Sequence, residues 1–357
     1  MTTNRRTFLA GTLSSVLRAE DLSLTETLKQ GMERAKVPGA AVAVFRRGKA
    51  VEKVCSGLRK SGEPDIVVPI TLFEAASLSK PVFATSVMKL WSRKGINLDQ
   101  PLMEYLGGPY VHIQEPWNPR SAQDTLSDPR AVKLTPRLVL SHRTGLPNWA
   151  YGSKLAFRRE PGVAWGYSGE GFVILQQVIE NITGLGLEAF VRREVLDPLK
   201  LTQSRWSWDA AVSGNVASGH SEKGLVKERI GQAGPNAAAS LMTNLDEYSR
   251  FLEAALAERS ELLPPEAQLE MLKPASTADE GLGIRWGLGW GLVQESGRTF
   301  VFHWGSNEGY RNFFLLSSKE RDGFLMFSNS DHGMKLVPAL CESILGVRPR
   351  FLSWGYL

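Results

Sequence analysis

The stretch "SLTETLKQGMERAKVPG" repeats apolar residues at a helical period, so the chain is expected to open on an amphipathic helix. Ser23 is its expected N-cap, with Glu26 three residues on, and Pro38-Gly39 is the expected stop. The period then changes. "AAVAVFRRGKAVEKVCSG" reads as two β-rich runs around Arg46 to Lys49, a hairpin pattern. "PVFATSVMKLWSRKG" returns to the helical period and stops at Gly95. Residues 108–132, with Pro109, Pro116, Pro119 and Pro129, keep no period and read as a long surface loop. Loops of that length are functional lids or disordered segments, and the sequence favours neither.

From about 133 to 264 the pattern is mostly helical. "TPRLVLSHRTGL" holds a short helix, "GEGFVILQQVIENITG" and "LEAFVRREVLDPLKL" two amphipathic ones, and "TNLDEYSRFLEAALAE" a capped third. From 286 onward β-rich runs take over in "WGLGWGLV", "TFVFHWG", "RNFFLLSS" and "DGFLMFSN", and a last helix covers roughly 334 to 345. Strands therefore lie near both ends with helices between them. The economical fold is α+β: one antiparallel sheet drawn from both ends, flanked by terminal helices, with a mainly helical insert. The expected division is a sheet domain from 21–95 and 265–357 and a helical domain from 96–264. No internal repeat is evident.

Composition narrows the function classes. At 357 residues and 43% hydrophobic the chain can bury a large core. No apolar run reaches the roughly 18 residues that span a bilayer, so no stable membrane insertion is expected. The net charge of +5 comes from scattered arginines, without a basic block interleaved with aromatics, and nucleic acid is not an expected partner. The two cysteines, Cys55 and Cys341, show no CxxC spacing and read as buried free thiols. Five separated histidines form no HExxH or other ligand cluster, so neither metal nor cofactor is implied. At the start, "NRRTFLAGTLSSVL" pairs Arg5 and Arg6 with an apolar stretch from Phe8 to Leu17. That is the layout of a twin-arginine export signal over residues 1–20, and export to the periplasm or medium is expected. The cleavage pattern is poor, however, and an N-terminal arm on a cytoplasmic protein is the alternative.

S-x-x-K occurs twice, as Ser77 to Lys80 and as Ser86 to Lys89. Nine residues of helix turn through roughly 180°, so the two pairs lie on opposite faces. Ser86 falls in mid-helix, where its hydroxyl is tied to the preceding turn. Ser77 falls at the start, where free N–H groups and the positive end of the helix dipole favour an oxyanion. The three-residue spacing sets Lys80 beside Ser77, and its apolar neighbours Phe73, Ala75, Ala76, Leu78 and Val82 are suited to lowering its pKa to a useful basicity. By itself the motif is also compatible with a simple capped helix. In "PGVAWGYSGEGF", Tyr167 lies in a Gly-rich turn before a helix, able to share a proton with serine and lysine. "FVFHWGSNEGY" ends a strand at His303-Trp304-Gly305, where a glycine lets substrate approach the backbone and the next N–H serves an oxyanion.

At these residues the chain resembles the serine β-lactamase and D,D-peptidase-like hydrolases of the class C type, a family that includes esterases and D-aminopeptidases. The landmarks run in the family's order from about 24 to 345: "VPGAAVAVFRRGK", "TLFEAASLSKP", "LDQPLMEYL", "LVLSHRTGLP", "EPGVAWGYSGEGFVIL", "DPLKL", "AAASLMTNLDEYSRFL", "WGLGWGL" and "HWGSNEGYRNFFLL". The resemblance implies a β-lactamase/transpeptidase-like fold. It makes Ser77 the acyl nucleophile, Lys80 its base partner and Tyr167 the second proton-transfer group. It also implies an oxyanion hole from the Ser77 and Ser306 N–H groups. His303-Trp304-Gly305 stands where β-lactamases have K-T-G, and Gly169 where they carry asparagine. Those departures remove a cation, a hydroxyl and an amide, so small ester or uncharged acyl substrates are expected before β-lactams. A protonated His303 remains an anion site in this reading. β-Lactam, D,D-peptide or D-amino-acid amide hydrolysis is the alternative, as is a catalytically weak sensor of peptidoglycan-like ligands. The oligomeric state is not legible.

Other residues read as structural. His142 in "LSHRTG" belongs to a packing landmark away from the nucleophile. Ser168 fails the G-x-S-x-G elbow because Glu170 replaces the second glycine. Trp286 and Trp290 are equally suited to cleft or core.

Overall fold

Helix α1 (Leu24–Ala35) begins at the expected capping box. Ser23 Oγ accepts from the Glu26 N–H at 3.3 Å, and Glu26 Oε2 accepts from the Ser23 N–H at 3.0 Å, so two orphan donors are satisfied. The helix ends at Lys36, in the left-handed region at φ 56°. The structure is a computed structural model that describes residues 22–115, 118, 120–208, 214–227 and 234–357. The expected export signal lies outside these residues.

Strands β1 (Gly39–Arg46) and β2 (Lys49–Gly57) form the expected hairpin. It turns at Arg47 and Gly48, both at positive φ, as a two-residue turn between twisted strands requires. Next, β3 (Phe73–Glu74) leads through a 3₁₀ turn at Ala76–Leu78 into α2 (Ser79–Ser92). The middle of the chain supplies α3 (Leu102–Leu106), β4 (Val111–Ile113), β5 (Gln123–Thr125), α4 (Pro136–Leu140), α5 (Gly169–Thr183) and α6 (Leu187–Val191). After these come β6 (Met242–Thr243), α7 (Leu245–Ala255) and α8 (Pro265–Leu272). Strands β7 (Ser276–Asp279), β8 (Ile284–Trp286), β9 (Gly291–Glu295), β10 (Arg298–Asn307), β11 (Tyr310–Ser317) and β12 (Gly323–Ser328) then lead to α9 (Val337–Leu345).

Eight strands build one antiparallel sheet in the order β2-β1-β12-β11-β10-β9-β8-β7. The β1–β12 pairing, from Ala40 opposite Ser328 to Phe45 opposite Gly323, joins the two ends of the chain. Alternation along β1 divides its side chains between two cores. Ala41, Ala43 and Phe45 face the helical block with Phe83, Leu175 and Phe327. Ala40, Val42 and Val44 face α1 and α9 with Leu28, Met32 and Leu340. Both faces are buried, which is why β1 reads as an unbroken apolar run. The fold is thus α+β, one antiparallel sheet drawn from both ends of the chain with helices on its two faces.

Three local expectations change. β7 and β8 begin before residue 286, because strands of three or four residues carry little period. The second expected amphipathic helix is short, since α6 passes into a π-helical turn at Arg192–Leu196. Residues 108–132 are not structureless: they hold the β4–β5 hairpin and a 3₁₀ turn at Pro129–Lys133. Among the described residues no helix is long and apolar enough to cross a membrane. Cys341 is a buried free thiol, whereas Cys55 is only partly buried.

That hairpin is pinned by buried His112, whose Nδ1 lies 2.8 Å from Asp124 Oδ1 and whose Nε2 lies 3.5 Å from Glu170 Oε1 on the first turn of α5. Burial pulls the His112 pKa down, but hydrogen bonds to Glu170 and Asp124, with their charges, outweigh it and leave the pKa raised. The folded protein therefore holds this proton more tightly than the unfolded chain. The stabilisation is complete below the unfolded value of about 6.5 and is lost as pH rises through the folded pKa. His112→Asn is expected to cost about 3 kcal/mol near pH 6, with the gap to wild type narrowing at higher pH. Urea unfolding of both proteins across pH 6 to 9 checks this, and a gap that is flat with pH would count against it.

Candidate active site

Ala76 adopts φ 52°, a left-handed conformation that costs an alanine about 1 kcal/mol. This kink turns the chain from β3 into the 3₁₀ turn and sets half-buried Ser77 just ahead of α2. Strain of this kind persists only where the surroundings hold it. The neighbouring Ser79 supplies part of that hold: its Oγ donates to the Ala76 carbonyl at 2.6 Å and accepts from the Leu241 N–H at 3.0 Å. Ser86 is buried, and its Oγ donates to the Val82 carbonyl at 3.0 Å. Its lysine, Lys89, donates to the Glu194 carbonyl. Only the first S-x-x-K joins serine to lysine, with Lys80 Nζ 3.1 Å from Ser77 Oγ.

Lys80 is completely buried. Its Nζ donates to the Ala238 carbonyl at 2.8 Å and lies over the rings of Tyr167 and Phe172, at 4.8 and 5.4 Å from their centroids. Burial drives its pKa well below the ordinary lysine value. An uncharged amine has one lone pair, and with one N–H spent on Ala238 that pair is available to Ser77.

Tyr167 lies in a nest of rings, 4.3 Å from His142 and 5.0 Å from Trp304. Burial raises its pKa, and proximity to Ser77 opposes this less strongly. Although the Ser77 hydroxyl is near enough to favour its ionised form, Tyr167 Oη is buried and makes no hydrogen bond of good geometry. The phenol therefore keeps its proton at neutral pH. His142, expected to lie away from the nucleophile, packs directly on Tyr167 and on Phe172. Its Nδ1 accepts from the Ser168 N–H at 3.1 Å, which fixes the turn carrying Tyr167 and places the imidazole proton on Nε2. Burial, Lys80 and His303 hold its pKa well below the ordinary range.

His303 departs from its expected role. It is fully buried, its Nδ1 donates to the Trp304 carbonyl at 2.8 Å, and burial with the nearby Lys80 pushes its pKa down to about 3. A neutral, enclosed imidazole is no anion site at neutral pH. Trp304 is buried between Tyr167, Trp286 and Trp354 and is not a rim residue. Trp286 and Trp290 are fully buried and resolve to core.

Gly305 is needed for a reason other than substrate approach. A Cβ there would collide with the Ala75 carbonyl oxygen, so β10 packs flush on the segment leading to Ser77. Asn312 Nδ2 donates to the Glu74 carbonyl at 2.8 Å and Asn307 Nδ2 to Glu74 Oε2 at 2.9 Å, fastening the strands together. Exposed Ser306 follows Gly305 at this junction. At Gly169 a Cβ would meet Trp149 Cζ2 at 2.6 Å, and the Gly169 N–H donates to Asn148 Oδ1 at 3.0 Å. An indole occupies the space a side chain at 169 would need. Ser168 caps α5, accepting from the Gly171 N–H and donating to the Pro147 carbonyl, so it is no nucleophile. Sequence reasoning missed Trp149, Ala238 and the aromatic tail Trp354 to Tyr356. The signals were "NWAY" and "SWGY", aromatic clusters in segments without period.

Residues 24–344 match the family described as Beta-lactamase. Protein flp of Staphylococcus aureus (strain N315) is 19% identical over 340 residues, covering 90% of this chain, and the chain spans only 66% of that relative's length. The Beta-lactamase of Yersinia enterocolitica is 23% identical over 355 residues, with 87% of this chain and 86% of that protein covered. A solved class C beta-lactamase shares the fold at a TM-score of 0.74 and 18% identity, covering 90% of this chain and 94% of that one.

Proposed function

The chain belongs to the Beta-lactamase family, and we propose that it is a serine hydrolase that acylates Ser77 and acts on small esters. The observation carrying this reading is the buried Lys80 amine, depressed in pKa by burial and 3.1 Å from Ser77 Oγ. An amine whose proton affinity is lowered by burial, beside a hydroxyl, is what an acyl-transfer nucleophile requires.

Ser77 Oγ attacks the ester carbonyl carbon while Lys80 Nζ takes its proton. The N–H groups of Ser77 and Ser306 are the proposed donors to the oxyanion. As the tetrahedral adduct collapses, the C–O bond to the alcohol breaks, and the alcohol oxygen receives a proton from the Lys80 ammonium by way of the Tyr167 phenol. Water then attacks the acyl carbon and gives its proton to the same pair. Ser77 Oγ leaves, recovers a proton, and the acid departs. Opposite pKa shifts favour these roles: lysine lowered to act as base, tyrosine raised to act as acid.

The ester preference follows from what flanks the reacting groups. Trp149 fills the side-chain space at Gly169, and neither His303 nor Trp304 offers a cation or hydroxyl. Binding a β-lactam carboxylate or substrate amide without such partners leaves polar groups desolvated. A panel of p-nitrophenyl acetate, p-nitrophenyl butyrate, nitrocefin and D-amino-acid amides tests the reading. Ester kcat/KM is expected to exceed the others by at least about tenfold. Rapid nitrocefin turnover without esterase activity reverses the preference, and inactivity on the whole panel removes the hydrolase reading.

A further inference from the structure

We propose that Tyr356 forms the wall of the site against which the alcohol portion of the ester lies, favouring esters of aromatic alcohols. This rests on the hydrolase reading above and extends it to one residue. Residues 350–357 follow the part of the chain that matches the family, which ends at 344, yet they are built into the catalytic ring cluster. The Arg350 N–H donates to Glu295 Oε2 at 2.8 Å, Phe351 is fully buried 5.1 Å from Phe302, and the Leu357 N–H closes a turn on the Trp354 carbonyl at 2.9 Å. Trp354 is 6% exposed, packed between Trp165 and Trp304 at 5.2 and 5.4 Å.

Anchored this way, the Tyr356 ring sits 5.0 Å from Trp165, 4.9 Å from Trp354, and 6.3 Å from both Tyr167 and Trp304. It differs from its neighbours in one respect. Trp165, Tyr167, Trp304 and Trp354 are at most 8% exposed, whereas Tyr356 is 48% exposed. It is the water-facing member of the cluster that encloses Tyr167. A group that protonates a leaving oxygen must stand within hydrogen-bond reach of it. The substituent on that oxygen therefore emerges beside Tyr167, and Tyr356 is an exposed ring in contact with the Tyr167 ring. A flat, half-exposed phenol suits offset or edge contact with an aromatic substituent.

Acetate esters of methyl and benzyl alcohol share one acyl group and separate the two sides of the site. In Tyr356→Ala the ratio of kcat/KM on benzyl acetate to that on methyl acetate is expected to fall about tenfold, and Tyr356→Phe is expected to restore it. The butyrate-to-acetate ratio of p-nitrophenyl esters, which reads the acyl side, should move less than about twofold. A ratio unchanged in Tyr356→Ala, including a uniform loss on all esters, overturns the inference and leaves the hydrolase reading standing. A change confined to the acyl series overturns the placement on the alcohol side. Wild-type inactivity towards all four esters overturns the hydrolase reading and this inference with it.

Discussion

Lys80→Ala is expected to lower kcat on esters by about a hundredfold or more, with a much smaller change in KM. In the proposed mechanism the amine takes the Ser77 proton in the transition state, and it is enclosed by Ala238, Tyr167 and Phe172 rather than by substrate. Lys80→Arg separates a base from a mere cation. A guanidinium keeps the charge but does not deprotonate in proteins, so it should be as inactive as alanine; retained activity in Lys80→Arg contradicts the assignment. The depressed pKa also fixes the sign of two pH effects. Activity should rise with pH through the folded pKa of Lys80, which lies well below the ordinary lysine value. Because the unfolded chain binds this proton more tightly, burying the neutral amine costs stability, and the cost grows as pH falls below the unfolded value of about 10.4. Lys80→Met, which removes the ionisable group, should therefore gain stability relative to wild type as pH is lowered.

Tyr167→Phe is expected to cost a further hundredfold or so on alkyl esters, without loss of fold. Phenylalanine keeps the ring contacts with His142 and Trp304 and removes only the buried hydroxyl. The loss should depend on the leaving group. An alkoxide must be protonated as it departs, whereas p-nitrophenolate is stable without a proton. The defect in kcat/KM, which reads acylation and not the deacylation step the two acetates share, should therefore be large on ethyl acetate and small on p-nitrophenyl acetate. Equal defects on both remove Tyr167 from leaving-group protonation. Since burial raises its pKa, Tyr167 should also add no basic limb to the rate profile between pH 6 and 9.

Much of this architecture was legible because periodic burial writes itself into sequence. The α1 capping box, the Arg47-Gly48 hairpin and the apolar runs of β10 to β12 are local or strongly patterned features, and their elements stand where the pattern puts them. β7, β8 and the β4–β5 hairpin are short, and their residues are chosen by tertiary neighbours such as His112 rather than by period. At the site, the Ser77–Lys80 pair was readable because it lies within a single helical turn. His142 was misplaced because its proximity to Tyr167 comes from two loops folding together. His303 invited an anion-binding role by its place in the motif, and only burial shows that it stays neutral. Tyr356 left no periodic trace, since ring contacts across the fold have no spacing in sequence.

The central claim is that Ser77 reacts as a nucleophile, while the hydroxyls of Ser79, Ser86 and Ser168 are bound into the fold. A fluorophosphonate traps an activated serine by forming a bond from Oγ to phosphorus with loss of fluoride. Incubation of the whole protein with such a probe, followed by peptide mass mapping, should place one stoichiometric adduct on Ser77, much slowed in Lys80→Ala. An unmodified Ser77 beside an adduct on Ser86, Ser168 or Ser306 would contradict it.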